Sequence, residues 1–140
     1  MSKTLAIIKP DAIRNGYTGK IIDRIISENF KILGMKQIHA TRVHADEFYK
    51  IHTGKPFYDE LCNFMSSAPI VVLALERDDA VNYWRKVIGA TDPADADDGT
   101  IRKQFAESKG KNAVHGSDSD ENAEIEISHW FSQCELITSI

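Results

Sequence analysis

The sequence predicts an α+β fold on the basis of three features. Apolar runs of strand length lie near the beginning and in the middle of the chain, at residues 4–9 and 70–75. Other segments carry apolar residues every three or four positions, which is typical of a helix with one buried face. No repeat or internal linker interrupts the 140 residues, so we expect one domain over residues 1–140 with a single core.

The predicted elements follow from apolar periodicity and from residues that end helices and strands. Pro10 should end the first strand, because proline has no backbone N–H to offer a sheet. Gly54 and Pro56 should separate two helices for similar reasons. In order, we expect a strand at residues 4–9, a turn-rich link at 11–19, a helix near 21–28, a strand at 32–43, helices at 45–52 and 57–65, a strand at 70–75, a helix at 78–88, a loop at 89–99, a short helix at 101–105, a strand that carries His115, and a final helix.

Polar residues indicate where two of these helices begin. Asp78 is the expected N-cap of the helix that follows the central strand. Asp118 and Ser119 are both good N-caps for the last helix, and Asp118 with Glu121 has the spacing of a capping box. The aspartates of the loop at 89–99 do not match a calcium-binding loop, so we expect them to be solvated or to form turns.

This order of elements predicts how the fold is arranged. Two strand-helix-strand halves fit a split βαβ, ferredoxin-like sandwich with an antiparallel sheet. We expect helices to cover one face of that sheet. The unbroken apolar run at residues 70–75 is suited to a central strand that is buried on both faces.

Composition and charge exclude several classes of function. The formal net charge is −4 with both signs spread along the chain, which argues against nucleic-acid binding and against a basic membrane-binding patch. No apolar run approaches membrane-spanning length, and the first strand begins too early to leave room for a signal peptide. Cys62 and Cys134 lie outside any metal-binding or redox motif. We therefore expect a cytoplasmic protein with free thiols.

The segment at residues 112–119 holds the strongest candidate for chemistry. His115 follows a short apolar run and precedes Gly116, which would let the backbone or a ligand approach closely. Glu126 lies at the edge of the apolar face of the next helix, where it could bind one imidazole nitrogen and make the other a better nucleophile. Ser117 could be a third member of this set. The alternative is a packed histidine beside a solvated glutamate.

Other polar residues are expected at the ends of strands and helices. Each has an ordinary structural explanation by itself; the ammonium group of Lys9, for example, could simply reach solvent from the end of its strand. Together they would suit phosphate groups, because three cations, an amide and a phenol around one nucleophile stabilise charge on a transferred phosphoryl group. These residues are Lys9, Tyr49, Arg85, Arg102 and Asn112, grouped around His115.

Four segments resemble those of the nucleoside diphosphate kinase family, in the same order and at similar spacing over essentially the whole chain. They are Ile7-Ile8-Lys9-Pro10-Asp11, Lys55-Pro56-Phe57, Gly99-Thr100-Ile101-Arg102, and residues 112–119. The resemblance implies a ferredoxin-like fold and a ping-pong reaction. In that reaction the γ-phosphate of a nucleoside triphosphate passes to an enzyme histidine and then to a different nucleoside diphosphate, with broad tolerance of the base.

The resemblance also implies a role for each matching residue. His115 is the expected nucleophile, oriented by Glu126 and Ser117. The nucleotide would be bound by Lys9 and Tyr49 near the transferred phosphate, Arg85, Thr91 and Arg102 at the inner phosphates, Asn112 with Lys9 at the sugar hydroxyls, and Phe57 stacked on the base with Leu61 behind it.

The resemblance further implies Mg²⁺, nucleoside di- and triphosphates as substrates, and self-association. The Mg²⁺ would arrive on the nucleotide phosphates and not in a cage of protein ligands. Asp118 is the nearest candidate to contact the ion, through water, although its position favours a role as N-cap. The assembly would be a tetramer or a hexamer built from similar dimers, and the short tail after the last helix bears on which one forms.

Two positions depart from the usual pattern of this family. Asp92 stands where asparagine is common, and Lys109 occupies a usually apolar position that forms the second wall of the base slot. From the residues alone, two other functions stay open. A small phosphatase would pass the phosphoryl group from His115 to water, and a ferredoxin-like binding module would bind nucleotide without chemistry.

Overall fold

The computed structural model describes residues 1–138 and contains one four-stranded sheet. Its strands are β1 (Ser2–Ile8), β2 (Lys31–Ile38), β3 (Ile70–Arg77) and β4 (Val114–Gly116), all antiparallel to their neighbours in the order β2-β3-β1-β4. The helices are α1 (Pro10–Arg14), α2 (Thr18–Ser27), α3 (Arg42–Phe48), α4 (Tyr58–Ser66), α5 (Ala80–Ile88), α6 (Ile101–Phe105) and α7 (Asp120–Trp130). Short 3₁₀ helices lie at Lys50–His52, Pro93–Asp95 and Gln133–Glu135. Among residues 1–138, no helix combines the length and the hydrophobicity needed to cross a membrane.

Helices cover both faces of the sheet, because the central strands bury side chains on both sides. Ala6 and Ile8 of β1 pack with residues of α2 and α5, Trp84 among them. Leu5 and Ile7 of β1 face the other way and pack with residues of α3, α4 and α7. The expectation that helices cover only one face was therefore wrong, whereas the burial of β3 on both faces is confirmed.

Two boundaries in the first half differ from the sequence prediction. The link after β1 is not all turn, since Pro10–Arg14 forms a short helix with proline at its first position, where a missing N–H does no harm. The second strand ends at Ile38, earlier than predicted. Thr41 then caps α3 by accepting the N–H of His44 over 3.1 Å, so the chain is already helical where the strand was expected to continue.

The two expected aspartate caps were wrong by one residue. Asp79, and not Asp78, precedes α5; its backbone is left-handed, with φ of 51°, and its side chain makes no capping bond. Ser119, and not Asp118, caps α7 by accepting the N–H of Asn122 over 3.1 Å. A serine hydroxyl suits this position because it reaches the backbone N–H three residues ahead. The carboxylate of Asp118 stays exposed and accepts from the Asn122 side chain over 2.6 Å.

Strand β4 is short and lies at one edge of the sheet. It pairs with β1, so that His115 stands opposite Ile7. Helix α7 follows β4 and packs against β1. The end of β1, the whole of β4 and the first turns of α7 therefore meet at this edge, which is where the polar residues of the candidate site lie.

Candidate active site

His115 lies in the middle of β4 with its imidazole partly buried. Its Nε2 is 2.7 Å from Oε1 of Glu126 on α7, and the two side chains are each 19% exposed. The same carboxylate oxygen accepts a hydrogen bond from the hydroxyl of Ser117 over 2.8 Å. A carboxylate at Nε2 holds the proton on that nitrogen and leaves the lone pair of Nδ1 free. The structure thus brings together the three residues that the sequence grouped as a nucleophile and its supports.

Ser117 is fully buried and ties this group to β1. Its hydroxyl oxygen accepts a hydrogen bond from the backbone N–H of Leu5 over 3.1 Å, and its O–H donates a hydrogen bond to Glu126. The hydroxyl therefore acts as donor and acceptor at once. Because of this link, the carboxylate of Glu126 is held by the sheet as well as by its own helix.

A strained turn precedes β4. The N–H of Val114 donates to the carbonyl of Asn112 over 2.8 Å, which closes a γ-turn, and Ala113 between them has φ of 71°. A non-glycine residue in such a conformation costs about 1–3 kcal/mol and persists only when its surroundings hold it. Here Oδ2 of Asp11 accepts the N–H of Ala113 over 3.0 Å, and the N–H of Lys9 donates to the carbonyl of Ala113 over 2.8 Å. Asp11 is not among the site residues predicted from the sequence, although it lies in the first of the four segments that carry the family resemblance.

Lys9 is buried at the end of β1, so the expectation that it could reach solvent was wrong. Its Nζ donates to Oδ1 of Asn112 over 2.8 Å, and the Asn112 amide donates to the carbonyl of Thr91 over 3.1 Å. Burial, together with the positive charge of Arg102, lowers the pKa of Lys9 to about 8, against the opposing charge of Asp11. A buried ammonium of this kind gains stability when an anion binds beside it.

Arg102 binds the backbone around the same turn. Its guanidinium donates to the carbonyl oxygens of Asn112, Gly89 and Val114 over 3.3, 2.9 and 2.9 Å. Burial, together with the charge of Arg85, lowers its pKa to about 10, so the group remains cationic at neutral pH. Arginine has five N–H donors, so two remain for another acceptor. Arg102 therefore shapes the turn and also brings positive charge to it.

A cleft of about 370 Å³ opens beside Arg102. Arg85, Thr91 and Arg102, which the family resemblance assigns to the inner phosphates, all line it. The side chain of Arg85 is exposed and can move towards an anion. Asp95 and Asp97 also line the cleft, so negative charge in a ligand would be favoured on the arginine side.

Tyr49 is buried in the cluster that contains the neighbours of His115. Its ring packs edge-on against Phe48 with centroids 4.8 Å apart, and Phe48 packs edge-on against the imidazole of His115 at 5.4 Å. The Tyr49 hydroxyl is buried and has no hydrogen-bond partner among residues 1–138. Burial, together with the charge of Glu126, raises the pKa of Tyr49, so the phenol keeps its proton and can donate it to an acceptor.

Phe57 lies on the turn before α4 and is 46% exposed. Its ring is 5.4 Å from that of His52 and its centroid is 5.9 Å from Nζ of Lys55. Leu61 follows one helical turn later and is partly buried against the core. The turn thus presents an exposed aromatic face with an apolar residue behind it, and Lys109, expected on the far side of a bound base, is exposed too.

Trp84 supports β4 from the face of the sheet opposite to α7. This fully buried residue of α5 donates from Nε1 to the carbonyl of His115 over 3.1 Å. A Cβ atom on Gly116 would lie 2.7 Å from Cδ1 of Trp84, closer than real Cβ contacts allow. The close approach that the sequence predicted at Gly116 is therefore made by an indole ring.

These residues belong to a chain whose sequence matches a known family. A family model described as nucleoside diphosphate kinase matches residues 2–136. The chain belongs to the nucleoside diphosphate kinase family. A nucleoside diphosphate kinase from Geotalea uraniireducens is 53% identical over 137 residues, which are 98% of this chain and 100% of the relative. One from Ruegeria pomeroyi is 52% identical, with 98% of each chain covered.

Solved structures of nucleoside diphosphate kinases have the same fold. The enzyme from Aquifex aeolicus has a TM-score of 0.96 at 46% identity, over 97% of this chain and 99% of that chain. The enzyme from Halobacterium salinarum, in complex with CDP, has a TM-score of 0.95 at 35% identity, over 99% of this chain and 93% of that chain. The ferredoxin-like α+β prediction is confirmed by both.

Membership in this family identifies the reaction. A nucleoside diphosphate kinase moves the γ-phosphate of a nucleoside triphosphate to a nucleoside diphosphate, in two steps through a phosphohistidine. The chain is therefore an enzyme, a phosphotransferase with nucleotides as substrates. The phosphatase and the non-catalytic module that the residues alone left open do not describe this family.

Nucleoside diphosphate kinases generally depend on a divalent metal, so the side chains near His115 can be examined as ligands for such an ion. Within residues 1–138, no three side chains of His, Cys, Asp or Glu lie close enough together to hold a metal ion. Asp118, exposed just after β4, offers a carboxylate, which is the kind of hard oxygen ligand that Mg²⁺ prefers. The residues fit an ion that arrives bound to nucleotide phosphates and gains little from the protein.

Proposed function

We propose that His115 carries the phosphoryl group on Nδ1 in the nucleoside diphosphate kinase reaction of this chain. The observation that supports this most directly is the 2.7 Å hydrogen bond between Nε2 of His115 and Oε1 of Glu126. The bond occupies one ring nitrogen, so only the other has a lone pair to attack phosphorus. Ser117 and Glu126 act as positioning groups in this assignment.

The first half-reaction follows from this geometry. The Nδ1 lone pair attacks the γ-phosphorus, an N–P bond forms, and the bond from phosphorus to the bridging oxygen breaks, so that the nucleoside diphosphate leaves with that electron pair. The imidazole gains positive charge as the N–P bond forms. Glu126 stabilises that charge through the Nε2 proton. In the second half-reaction a different nucleoside diphosphate attacks the phosphohistidine and the same steps run in reverse.

Fixed positive charge would stabilise the phosphoryl group during transfer. Lys9 and Arg102 are buried cations joined through the backbone and side chain of Asn112, so little reorganisation is needed when a phosphate arrives. The hydroxyl of Tyr49, which has no partner in the part of the chain that the structure describes, would gain an acceptor at the same time. The proposed set is Lys9 and Tyr49 at the transferred phosphate, with Arg85, Thr91 and Arg102 at the inner phosphates.

The nucleoside would lie between the Lys9–Asn112 pair and Phe57. Lys9 and Asn112 bind the sugar hydroxyls, and Phe57 stacks on the base with Leu61 behind it. Stacking accepts any base because every base has a π-face, which supports broad base tolerance. The structure of the Halobacterium salinarum relative in complex with CDP supports a nucleoside diphosphate as ligand of this fold.

Mg²⁺ is the metal of this proposal. Bound to the nucleotide phosphates, it offsets their negative charge and so favours transfer. Asp118 would reach the ion through a water molecule. The exposed position of its carboxylate, outside α7, supports that role.

The working form of the enzyme in this proposal is a cytoplasmic homo-oligomer of one-domain chains, each of residues 1–140. Strand β2 is an outer strand of the sheet, where the N–H of Ile137 binds the carbonyl of Leu33, and it exposes half of Met35. An apolar side chain exposed on an outer strand supports contact between copies. Light scattering after gel filtration would distinguish a tetramer from a hexamer, each of them built from dimers. The mass of a 15.7 kDa monomer in dilute solution would contradict the assembly.

Labelled ATP tests the assignment of the phosphate. The purified protein is mixed with terminally labelled ATP and Mg²⁺, isolated, and digested, and the labelled peptide is analysed by NMR to identify the phosphorylated nitrogen. We expect an acid-labile label on Nδ1 of His115 that moves to GTP when unlabelled GDP is added. Label on Nε2, on another residue, or released as inorganic phosphate would contradict the proposal.

Glu126→Gln is expected to slow phosphorylation of the enzyme by about 100-fold without unfolding it. The amide has no charge to stabilise the imidazolium, and its NH₂ group can donate to Nε2 and so shift the proton to Nδ1. Rapid-quench measurement of phosphoenzyme formation gives the rate. Glu124→Gln, an exposed position on the same helix, is the matched control. Equal rates in the two variants would reduce Glu126 to a solvated helix residue.

Nucleotide affinity is expected to fall above pH 8, by up to about tenfold per pH unit, as Lys9 loses its proton. The pKa of Lys9 is lowered to about 8 in the folded chain, so between that value and its ordinary 10.5 the unfolded chain binds more protons. The contribution of this group to the free energy of unfolding therefore rises with pH in the window where affinity falls. Calorimetric titration with ADP from pH 7 to 9.5 measures the affinity.

Lys9→Arg is the control for this pH dependence, since arginine keeps its charge throughout that range. Its affinity at neutral pH can differ from wild type, but the slope above pH 8 should be lost. An unchanged slope in Lys9→Arg would assign the titration to another group.

A further inference from the structure

Ala113, in the γ-turn that precedes β4, has a backbone conformation that the turn cannot maintain by itself. Ala113 is fully buried with φ of 71°. Within residues 1–138, the other two non-glycine residues with positive φ are an asparagine and an aspartate, which tolerate it better. A single local hydrogen bond, from Val114 to Asn112, closes the turn. Bonds from outside the turn must therefore keep Ala113 in place.

Both backbone groups of Ala113 bind the segment that follows β1. Its N–H donates to Oδ2 of Asp11 over 3.0 Å, and its carbonyl accepts the N–H of Lys9 over 2.8 Å. The second of these bonds is made by the backbone and is available to any residue at position 9 except proline. The first depends on a side chain, so Asp11 is the one replaceable support of the strained residue.

The place of Asp11 in the first turn of α1 favours a carboxylate but does not require its burial. Asp11 is 1% exposed, and its other carboxylate oxygen, Oδ1, has no hydrogen-bond partner among residues 1–138. Burial raises the pKa of Asp11 above its ordinary value, although the Ala113 bond and the charge of Lys9 oppose that rise. A buried carboxylate whose second oxygen lacks a partner in the described residues costs stability, which favours a role beyond the fold.

The turn connects two residues of the site. Asn112, on one side, binds Nζ of Lys9 through its side chain and Arg102 through its carbonyl. On the other side the chain enters β4, where His115 meets Glu126. A change of φ at Ala113 to the negative region would alter the direction in which the chain enters β4, and with it the relation between these two residues.

We propose that Asp11 is a positioning residue for phosphoryl transfer, which holds Ala113 in its left-handed turn and thereby aligns His115 with the phosphate site around Asn112. This inference rests on the proposed role of His115. It assigns to Asp11 a role in the reaction although Asp11 touches neither the imidazole nor the cleft beside Arg102.

The test is the rate of His115 phosphorylation in a single turnover with saturating ATP and Mg²⁺, expressed per folded molecule. Asp11→Ala leaves the N–H of Ala113 without its partner and is expected to lower the rate by about 10- to 100-fold. Asp11→Asn keeps an acceptor for that N–H and should stay close to the wild-type rate. Ala113→Gly, added to Asp11→Ala, should recover part of the loss, because glycine adopts positive φ without support.

Asp23→Ala, which removes an exposed carboxylate on α2, is the control and should react like wild type. The wild type is examined first: label on a residue other than His115 would overturn the proposed function before any Asp11 variant is compared. With His115 labelled in the wild type, a folded Asp11→Ala that reacts at the wild-type rate overturns only the positioning role. The positioning role is also overturned if Asp11→Asn is as slow as Asp11→Ala, or if Ala113→Gly recovers none of the rate that Asp11→Ala loses. If Asp11→Ala does not fold, Asp11→Leu replaces it, because leucine has about the size of aspartate and cannot accept a hydrogen bond. The same loss of rate is expected, and a wild-type rate overturns the positioning role.

Discussion

Replacing His115 with alanine is expected to lower phosphoryl transfer by more than about 1,000-fold, because the change removes the nucleophile itself. Binding of ADP should stay close to wild type. The groups assigned to the phosphates and the sugar, such as Lys9, Asn112 and Arg102, are held by one another and by the backbone and not by the imidazole. Transfer of label from ATP to GDP gives the activity, and calorimetric titration with ADP gives the binding.

His39→Ala is the matched control for this variant. His39 is exposed and follows β2, at the opposite edge of the sheet from β4, so its loss should change neither quantity. Turnover by His115→Ala at a rate near that of His39→Ala would remove the assignment of the nucleophile. Loss of ADP binding together with activity would instead show that the imidazole supports the nucleotide site.

The strands and longer helices could be predicted because their signals are local. Apolar runs and a period of three to four residues are properties of a few consecutive positions, and the corresponding elements formed, although β2 ends and α3 begins earlier than predicted. The sequence prediction placed helices on one face of the sheet only, although the apolar pattern of β1 indicates a strand covered on both faces. Residues 4–8 are buried at every position, with no alternation of apolar and polar residues, which is the pattern of a strand packed on both sides.

Helix starts were less predictable, because several neighbouring residues can cap. Asp79 and Ser119 precede their helices, and each stands next to an aspartate that was an equally good candidate. The choice depends on where the preceding strand or turn leaves the chain. That is a tertiary property, so a preference for aspartate over serine in the sequence does not decide it.

In the candidate site, too, some features could be predicted from local sequence and others depend on tertiary contacts. Of the residues predicted for the site, Glu126 bonds to Nε2 of His115 and to the hydroxyl of Ser117. Others form neighbouring groups, as the bond from Lys9 to Asn112 illustrates. The supports of that arrangement could not be predicted. Asp11 and Trp84 contact residues 102 and 31 positions away. Asp11 lies in the first segment that resembles the family, but nothing local indicates that its partner is Ala113, and Trp84 has the pattern of an ordinary core residue.

Arg102 shows a further limit of sequence reasoning. The family resemblance implies a role on the inner phosphates, and the residue does line the cleft. The structure adds three hydrogen bonds to backbone carbonyls, which a motif cannot reveal. A loss of activity on mutating Arg102 would therefore combine lost charge with a disturbed turn, and it would not by itself measure phosphate binding.

Gly116→Ala is expected to lower the free energy of unfolding by about 1–3 kcal/mol and to slow phosphoenzyme formation by about 10- to 100-fold. The added Cβ would lie 2.7 Å from Cδ1 and 3.2 Å from Nε1 of Trp84, a buried ring that cannot move freely. Either the indole or β4 must shift. Since Trp84 donates to the carbonyl of His115, a shift of either one moves the nucleophile relative to Glu126.

Gly19→Ala supplies the comparison for this variant. A Cβ at Gly19, on α2, would meet nothing within 4 Å, so the same substitution there should leave the rate unchanged and stabilise the helix slightly. Urea unfolding and rapid-quench labelling on both variants separate the two effects. A Gly116→Ala enzyme that is less stable but equally fast would show that Trp84 supports only the fold. If the rate of Gly116→Ala falls by more than the fraction of folded protein does, packing beneath β4 sets the position of His115.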